Sequence, residues 1–198
     1  MREAAVFVMA YLLGSMSFAT ILVRIFRGVD VRGEGSGNAG ATNVLRTSGR
    51  PLAIATMALD IGKGALAVLL MQAVTYDPRW LGAAAFAAVL GHVFPVFFGF
   101  RGGKGVAAAI GGFAVLCPVA ILLALAAFLL VVAVTRFVSL GSLTAACLLP
   151  LSMGLLFHAP EAEIVAAAAT TLLLVLSHRA NIRRLLDGTE RRLGRKEA

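Results

Sequence analysis

Two glycine-rich stretches hold most of the residues that could do chemistry in this chain. The first, GEGSGNAGATNVLR (33–46), sets Gly35, Gly37 and Gly40 among Ser36, Asn38, Thr42 and Asn43 and ends on Arg46. Glycines at that spacing free the backbone to turn its N–H groups into one concavity, which suits an anion. ATNVLRT (41–47) reads as the start of a short helix, its positive end facing the concavity and Thr42 or Asn43 in its first turn. Arg46, four residues after Thr42, shares that face and offers a charged fork to further oxygens. Phosphate is the chemistry implied, against the plain alternative of a glycine turn beside a topological arginine.

The second stretch is GHVFPVFFGFRGGKG (91–105). A nucleotide P-loop would need glycine where Phe98 stands and serine or threonine where Gly105 stands, so Mg-nucleotide binding is disfavoured. What remains is Gly103 and Lys104, a point charge among bare N–H groups with a helix starting at Val106. Phe94, Phe97, Phe98 and Phe100 read as an interfacial aromatic belt or as the lining of an acyl groove. Pro95 is expected to kink or end its helix. A third set is divided between RFVSLGS (136–142), with Ser139 and Ser142, and SHRANIRRLLDGTE (177–190). In the latter His178 and Asn181 are neighbours on one helical face, while Arg179, Arg183 and Arg184 are expected to point elsewhere.

These loops need a frame. The 198 residues are 60% apolar and 14% charged, with a mean hydropathy of +0.91. Lipid is the solvent that such a composition fits, and long apolar runs without period-2 alternation make the fold all-α, a polytopic membrane bundle. The runs fall at about 3–24, 51–73, 80–98, 106–117, 118–135, 143–157 and 162–177. That predicts about seven transmembrane helices, with a tight turn at Cys117–Pro118 and the fourth and sixth runs broken or thinned. The first run is read as a retained span rather than a cleaved signal, and residues 1–198 as a single domain. Cys117 and Cys147 are expected to be buried small hydrophobes.

With the N-terminus outside, fifteen of the eighteen lysines and arginines fall on one side and only Arg2 and Arg79 on the other. The C-terminus and the polar segments 33–46, 99–105, 136–142 and 178–190 are therefore placed in the cytoplasm, and the short loops 76–80 and 158–163 opposite. Topology thus explains the net charge of +8 better than nucleic acid does. Residues 178–198 read as a basic tail, at least partly an amphipathic helix on anionic lipid. Asp60 and Lys63, spaced i,i+3 inside the second span, either neutralise each other or turn towards the polar cluster. His92 lies just inside the membrane boundary.

GSGNAGATN with Arg46, GHVFPVFFGFRGGKGVA, and RFVSLGS followed by HRANIRRLLDGTE resemble, in order, the three signature regions of the bacterial acyl-phosphate:glycerol-3-phosphate 1-O-acyltransferases, the PlsY family. The likeness runs from YLLGS (11–15) to Glu190. It implies a seven-helix inner-membrane enzyme that moves a fatty acyl group from acyl phosphate to the 1-hydroxyl of glycerol 3-phosphate, the first step of phospholipid synthesis. By motif position it implies that Ser36, Arg46, Lys104, Ser142 and His178 carry catalysis. Gly37, Asn38, Gly40, Thr42, Asn43, Gly103 and Asn181 would bind substrate. Asp60, Lys63, His92 and Ser139 are expected just behind them.

An acyl phosphate is already activated, so no covalent enzyme intermediate is demanded; two anions must be held together and the hydroxyl aimed. No cofactor, metal, CoA or obligatory protein partner is expected. The nearest rival is an anion transporter, but only Asp60 and Lys63 approach the midplane and no internal repeat is visible.

Overall fold

Helices fill the apolar runs of the computed structural model, which describes residues 1–194. They are α1 (Arg2–Gly14), α2 (Phe18–Arg27), α3 (Ala41–Ser48), α4 (Arg50–Gln72), α5 (Pro78–Val93), α6 (Val106–Leu116), α7 (Pro118–Thr135), α8 (Val138–Leu155), α9 (Glu161–Ser177) and α10 (Arg179–Leu186). Among the described residues there is no strand. Arg195, Lys196 and Glu197, the end of the expected basic tail, lie outside the described residues.

By length and composition four helices can cross a membrane: α4, α5 with its extension to Phe98, α7 and α8. Counting the bent pairs α1–α2 and α9–α10 as single spans makes six. The break at Cys117–Pro118 falls as expected, leaving α6 with eleven residues, about 16 Å of helix against a core of about 30 Å. α5 stops at Val93, just before Phe94–Pro95, because the residue preceding proline is driven out of the helical region.

Three departures from the expected boundaries have physical causes. The first run is two helices bent by 40°, because the Met16 carbonyl at the break is taken by Lys63 Nζ at 2.7 Å. α8 begins at Val138 rather than 143, so Ser139 and Ser142 are helical, not loop, residues. Cys147 is exposed on α8 and Cys117 is half-buried, where both were expected in the core; facing lipid is no worse for a small thiol.

Pro150 sits inside α8 and has no N–H for the Ala146 carbonyl one turn back. Thr171 Oγ1, from α9, donates to that carbonyl at 2.6 Å. A backbone orphan in hydrocarbon is intolerable, so this one hydroxyl both permits the proline and locks α8 to α9. Elsewhere the helices meet through small residues. α4 and α6 press backbone to backbone at Gly64 and Gly111, α1 and α5 at Gly14 and Gly91; a Cβ at any of the four would lie within 2.2 Å of a carbonyl oxygen opposite. The core is alanine-rich for the same reason, with Ala84, Ala85, Ala87 and Ala88 fully buried beside Met71, Phe113 and Met153. α7, by contrast, turns Leu122, Leu130 and Val134 outwards.

Candidate active site

The first glycine loop is wrapped around Asn43. Buried in the first turn of α3, its Oδ1 accepts the Ser36 N–H at 2.8 Å while its Nδ2 donates to the carbonyls of Val31 and Glu34, both at 3.0 Å. Gly35 has left-handed φ (59°), and a Cβ there would fall 2.4 Å from Asn43 Oδ1, so only glycine lets the chain close on this amide. Both amide hydrogens of Asn43 are thereby committed to the loop. It shapes the concavity rather than donating into it. Two arginines counted only as inner-face charges also hold the loops. Arg27 Nη1 donates to Glu34 Oε2 (2.7 Å) and to the Thr47 carbonyl (2.8 Å). Arg32 pairs with Asp30 and donates to the Phe98 carbonyl at 2.8 Å, stapling the first loop to the second.

The second loop lies on the end of α5. Gly102 and Gly103 donate their N–H groups to the carbonyls of Val93 and His92 at 3.2 and 3.1 Å. Gly103 has no room for a side chain, since a Cβ would sit 2.2 Å from His92 Nε2 and 2.6 Å from the Ala39 carbonyl. Lys104 follows, and its Nζ donates to Asn181 Oδ1 at 2.5 Å. Burial pushes the Lys104 ammonium down to about 8; Glu190 opposes the shift, and the nearby Arg184 and Arg46 add to it.

α9 and α10 meet at 60° across His178. The His178 ring is buried, with Nδ1 2.8 Å from the Leu174 carbonyl, which can only accept; Nδ1 therefore carries the hydrogen and Nε2 is left as an acceptor. Burial, then Lys104, pushes this imidazole down to about 4, so it is neutral near pH 7. Ser142 Oγ donates back to the Val138 carbonyl at 2.9 Å.

Glu190 is the residue that motif reading passed over. Its carboxylate, 6% exposed, accepts from Ser139 Oγ (2.7 Å), Asn181 Nδ2 (2.6 Å) and Arg184 Nε (2.7 Å). Burial raises this carboxyl, yet the three hydrogen bonds win and hold it below the usual carboxylate range. Arg184 thus turns inwards, against expectation. Nor does the tail simply lie on lipid: after Gly188 it returns to the α7–α8 corner, where the Leu193 N–H donates to the Arg136 carbonyl (2.8 Å) and Arg192 lies over the Phe137 ring. The one signal in the sequence was an acid set among arginines, between Arg184 and Arg191.

These pieces face one cavity of about 670 Å³. Its polar end is lined by Ser36, Gly37, Asn38, Gly40, Thr42, Asn43, Arg46, Lys104, Ser139, Ser142, His178 and Asn181, with Asp60, His92 and Glu190. Gly103 and Lys63 stand behind it. The first residues of α3 and α6 both reach this space, so two positive helix ends converge there. Its apolar end runs between Ile110, Ile121, Leu125, Phe128, Leu149 and Leu174. Phe94, Phe97, Phe98 and Phe100 do not line it. Among the described residues no three His, Cys, Asp or Glu gather to hold a metal.

Known proteins share this arrangement over nearly its full length. Residues 4–188 match the family model described as glycerol-3-phosphate acyltransferase. A glycerol-3-phosphate acyltransferase of Geobacter sulfurreducens is 43% identical over 97% of this chain and 98% of its own, and one of Thioalkalivibrio sulfidiphilus is 48% identical over 94% and 92%. A crystal structure of PlsY (YgiH), an integral membrane glycerol 3-phosphate acyltransferase in its glycerol 3-phosphate form, superposes with a TM-score of 0.93 at 37% identity, covering 98% of this chain and 96% of that one. Its lysophosphatidic acid form gives 0.91. Likeness in sequence and in fold thus spans the loops, the His178 turn and the helices that carry them, and the chain belongs to the glycerol-3-phosphate acyltransferase family of membrane enzymes.

Proposed function

We propose that the protein transfers a fatty acyl group from acyl phosphate to the 1-hydroxyl of glycerol 3-phosphate, giving lysophosphatidate and inorganic phosphate. The observation that carries this is the two-ended cavity: glycine loops, cations and helix N-termini at one end, an apolar groove at the other. A phosphorylated lipid donor and a small phosphorylated acceptor fit those two characters. The acceptor and product named for the solved relatives are the same pair.

Lys104, Ser36 and Ser142, with the glycine-loop N–H groups, hold the acyl-phosphate end. Arg46, His178 and Asn181 hold glycerol 3-phosphate, Thr42, Asn38, Gly37 and Gly40 complete the two cradles, and Gly103 packs behind them. The hydroxyl oxygen attacks the acyl carbon, the carbonyl–phosphate bond breaks, and the hydroxyl proton leaves with the departing phosphate. His178 Nε2 accepts the hydroxyl's hydrogen bond and so aims it. Burial and Lys104 hold the imidazole down in the free protein, which disfavours it as the proton's resting place, and the departing phosphate takes the proton. The cations and N–H groups stabilise charge as it moves to the phosphate oxygens.

The site is at the inner face of the bacterial cytoplasmic membrane, with seven crossings and the N-terminus outside. Fifteen of eighteen cationic residues on the side of the loops support that orientation. Purified protein in detergent, with a chelator, should form lysophosphatidate from palmitoyl phosphate plus glycerol 3-phosphate and none from palmitoyl-CoA. Product from CoA alone, or only after metal is restored, overturns the reading.

A further inference from the structure

At the floor of the cavity lies a group of ionisable side chains that the transfer reaction does not use, Asp60 and His92 lining it and Lys63 behind. Asp60, on α4, is 1% exposed and about 15 Å along the helix from its inner end. Lys63, 4% exposed, approaches Asp60 Oδ1 at 2.8 Å, and His92 Nδ1 lies 3.5 Å from the same oxygen. Neither contact has hydrogen-bond alignment at Oδ1 or Nδ1, so Lys63 and Asp60 are held by charge and all three by their other partners. Those partners are informative. Lys63 Nζ donates to the Met16 carbonyl at the break between α1 and α2, and lies 5.6 Å from the Phe18 ring that opens α2. α2 leads directly into the first glycine loop. His92, from its other side, carries the second: its carbonyl takes the Gly103 N–H and its Nε2 lies against Gly103, the residue before Lys104.

Asp60 therefore stands between Lys63 and His92, through which both loops are reached. A buried ion pair need not be kept for stability, since apolar replacements of similar volume often fold as well. Here the pair does something an apolar pair could not, because it fixes a broken helix on one side and a ring on the other.

We propose that Asp60, Lys63 and His92 form a positioning centre that sets the separation of the two phosphate loops, and so the alignment of hydroxyl and acyl carbon. This rests on the acyl-transfer reading given above. None of the three is a catalytic residue. Each loop would survive their loss with its own cradle intact, so binding persists while alignment fails, and the effect falls on kcat rather than KM.

The test is the double variant Asp60→Asn/Lys63→Met, which leaves no lone buried charge, with His92→Phe beside it and Lys104→Ala as reference. Calorimetric titration with glycerol 3-phosphate counts intact sites, and initial rates with palmitoyl phosphate are expressed per intact site. The expected result is full stoichiometry, glycerol 3-phosphate affinity and KM within about threefold, and kcat lowered roughly ten- to a hundredfold in both variants. If the double variant does not fold, His92→Phe alone decides. A kcat per site within twofold of the parent, or a loss confined to KM, overturns the proposal. Should Lys104→Ala stay active, the site reading fails instead; Lys104→Ala inactive with an active double variant sinks the positioning centre alone.

Discussion

Lys104 is the residue on which the electrostatics converge. Its own burial, with the charges of Arg184 and Arg46 nearby, makes its proton easy to lose, and only the charged form can hold a phosphate. As pH rises through about 8 the free protein's kcat/KM should therefore fall; a bound dianion favours the ammonium, so the matching limb of kcat lies at higher pH. Lys104→Ala or Arg46→Ala should each lower kcat/KM by roughly a hundred- to a thousandfold, the scale of losing one group that stabilises developing charge. Turnover within a few-fold of the parent in either variant would remove it from the site. Both residues were legible because glycine, cation and helix start occur together in sequence. Asn43 was legible as important, but its job was not: its partners Val31 and Glu34 are backbone carbonyls that carry no mark in the sequence. Glu190 was missed because the reversal at Gly188 (φ 69°), not helical periodicity, brings it inwards, and Arg184 of α10 was missed with it, as its partner.

At the scale of elements, Thr171 and Pro150 form a single device across two helices. Thr171→Val keeps the shape and removes the hydroxyl, leaving the Ala146 carbonyl without a donor; it should cost about 1–3 kcal/mol in detergent unfolding, with Thr171→Ser close to the parent. An unchanged midpoint for Thr171→Val would mean that the carbonyl has another donor. Helix ends at Pro95 and Pro118 were readable because proline acts locally. The break at Ser15–Ser17 was not, since it contains no proline and is set by Lys63 from another helix. The start of α8 was misplaced for a related reason: Val138–Ser142 looks like a polar loop until Ser139 finds Glu190, and Ser142 its own helix.

For the whole molecule, composition alone picked lipid as the solvent and hence helices, whereas the cavity depends on tertiary packing that no run of residues announces. Orientation is open to a direct check. In a Cys117→Ser/Cys147→Ser background, Tyr76→Cys on the α4–α5 turn should react with impermeant maleimide only from outside, and Arg183→Cys on α10 only from the cytoplasmic face; labelling of both from one side would contradict the seven-crossing orientation. The central claim is that this one cavity clasps two phosphorylated reactants at the same time, so that the acyl group passes directly between them. Titrating glycerol 3-phosphate into protein saturated with a non-hydrolysable palmitoyl phosphonate tests it most directly. One glycerol 3-phosphate should still bind per chain. Mutual exclusion of the two ligands would contradict it.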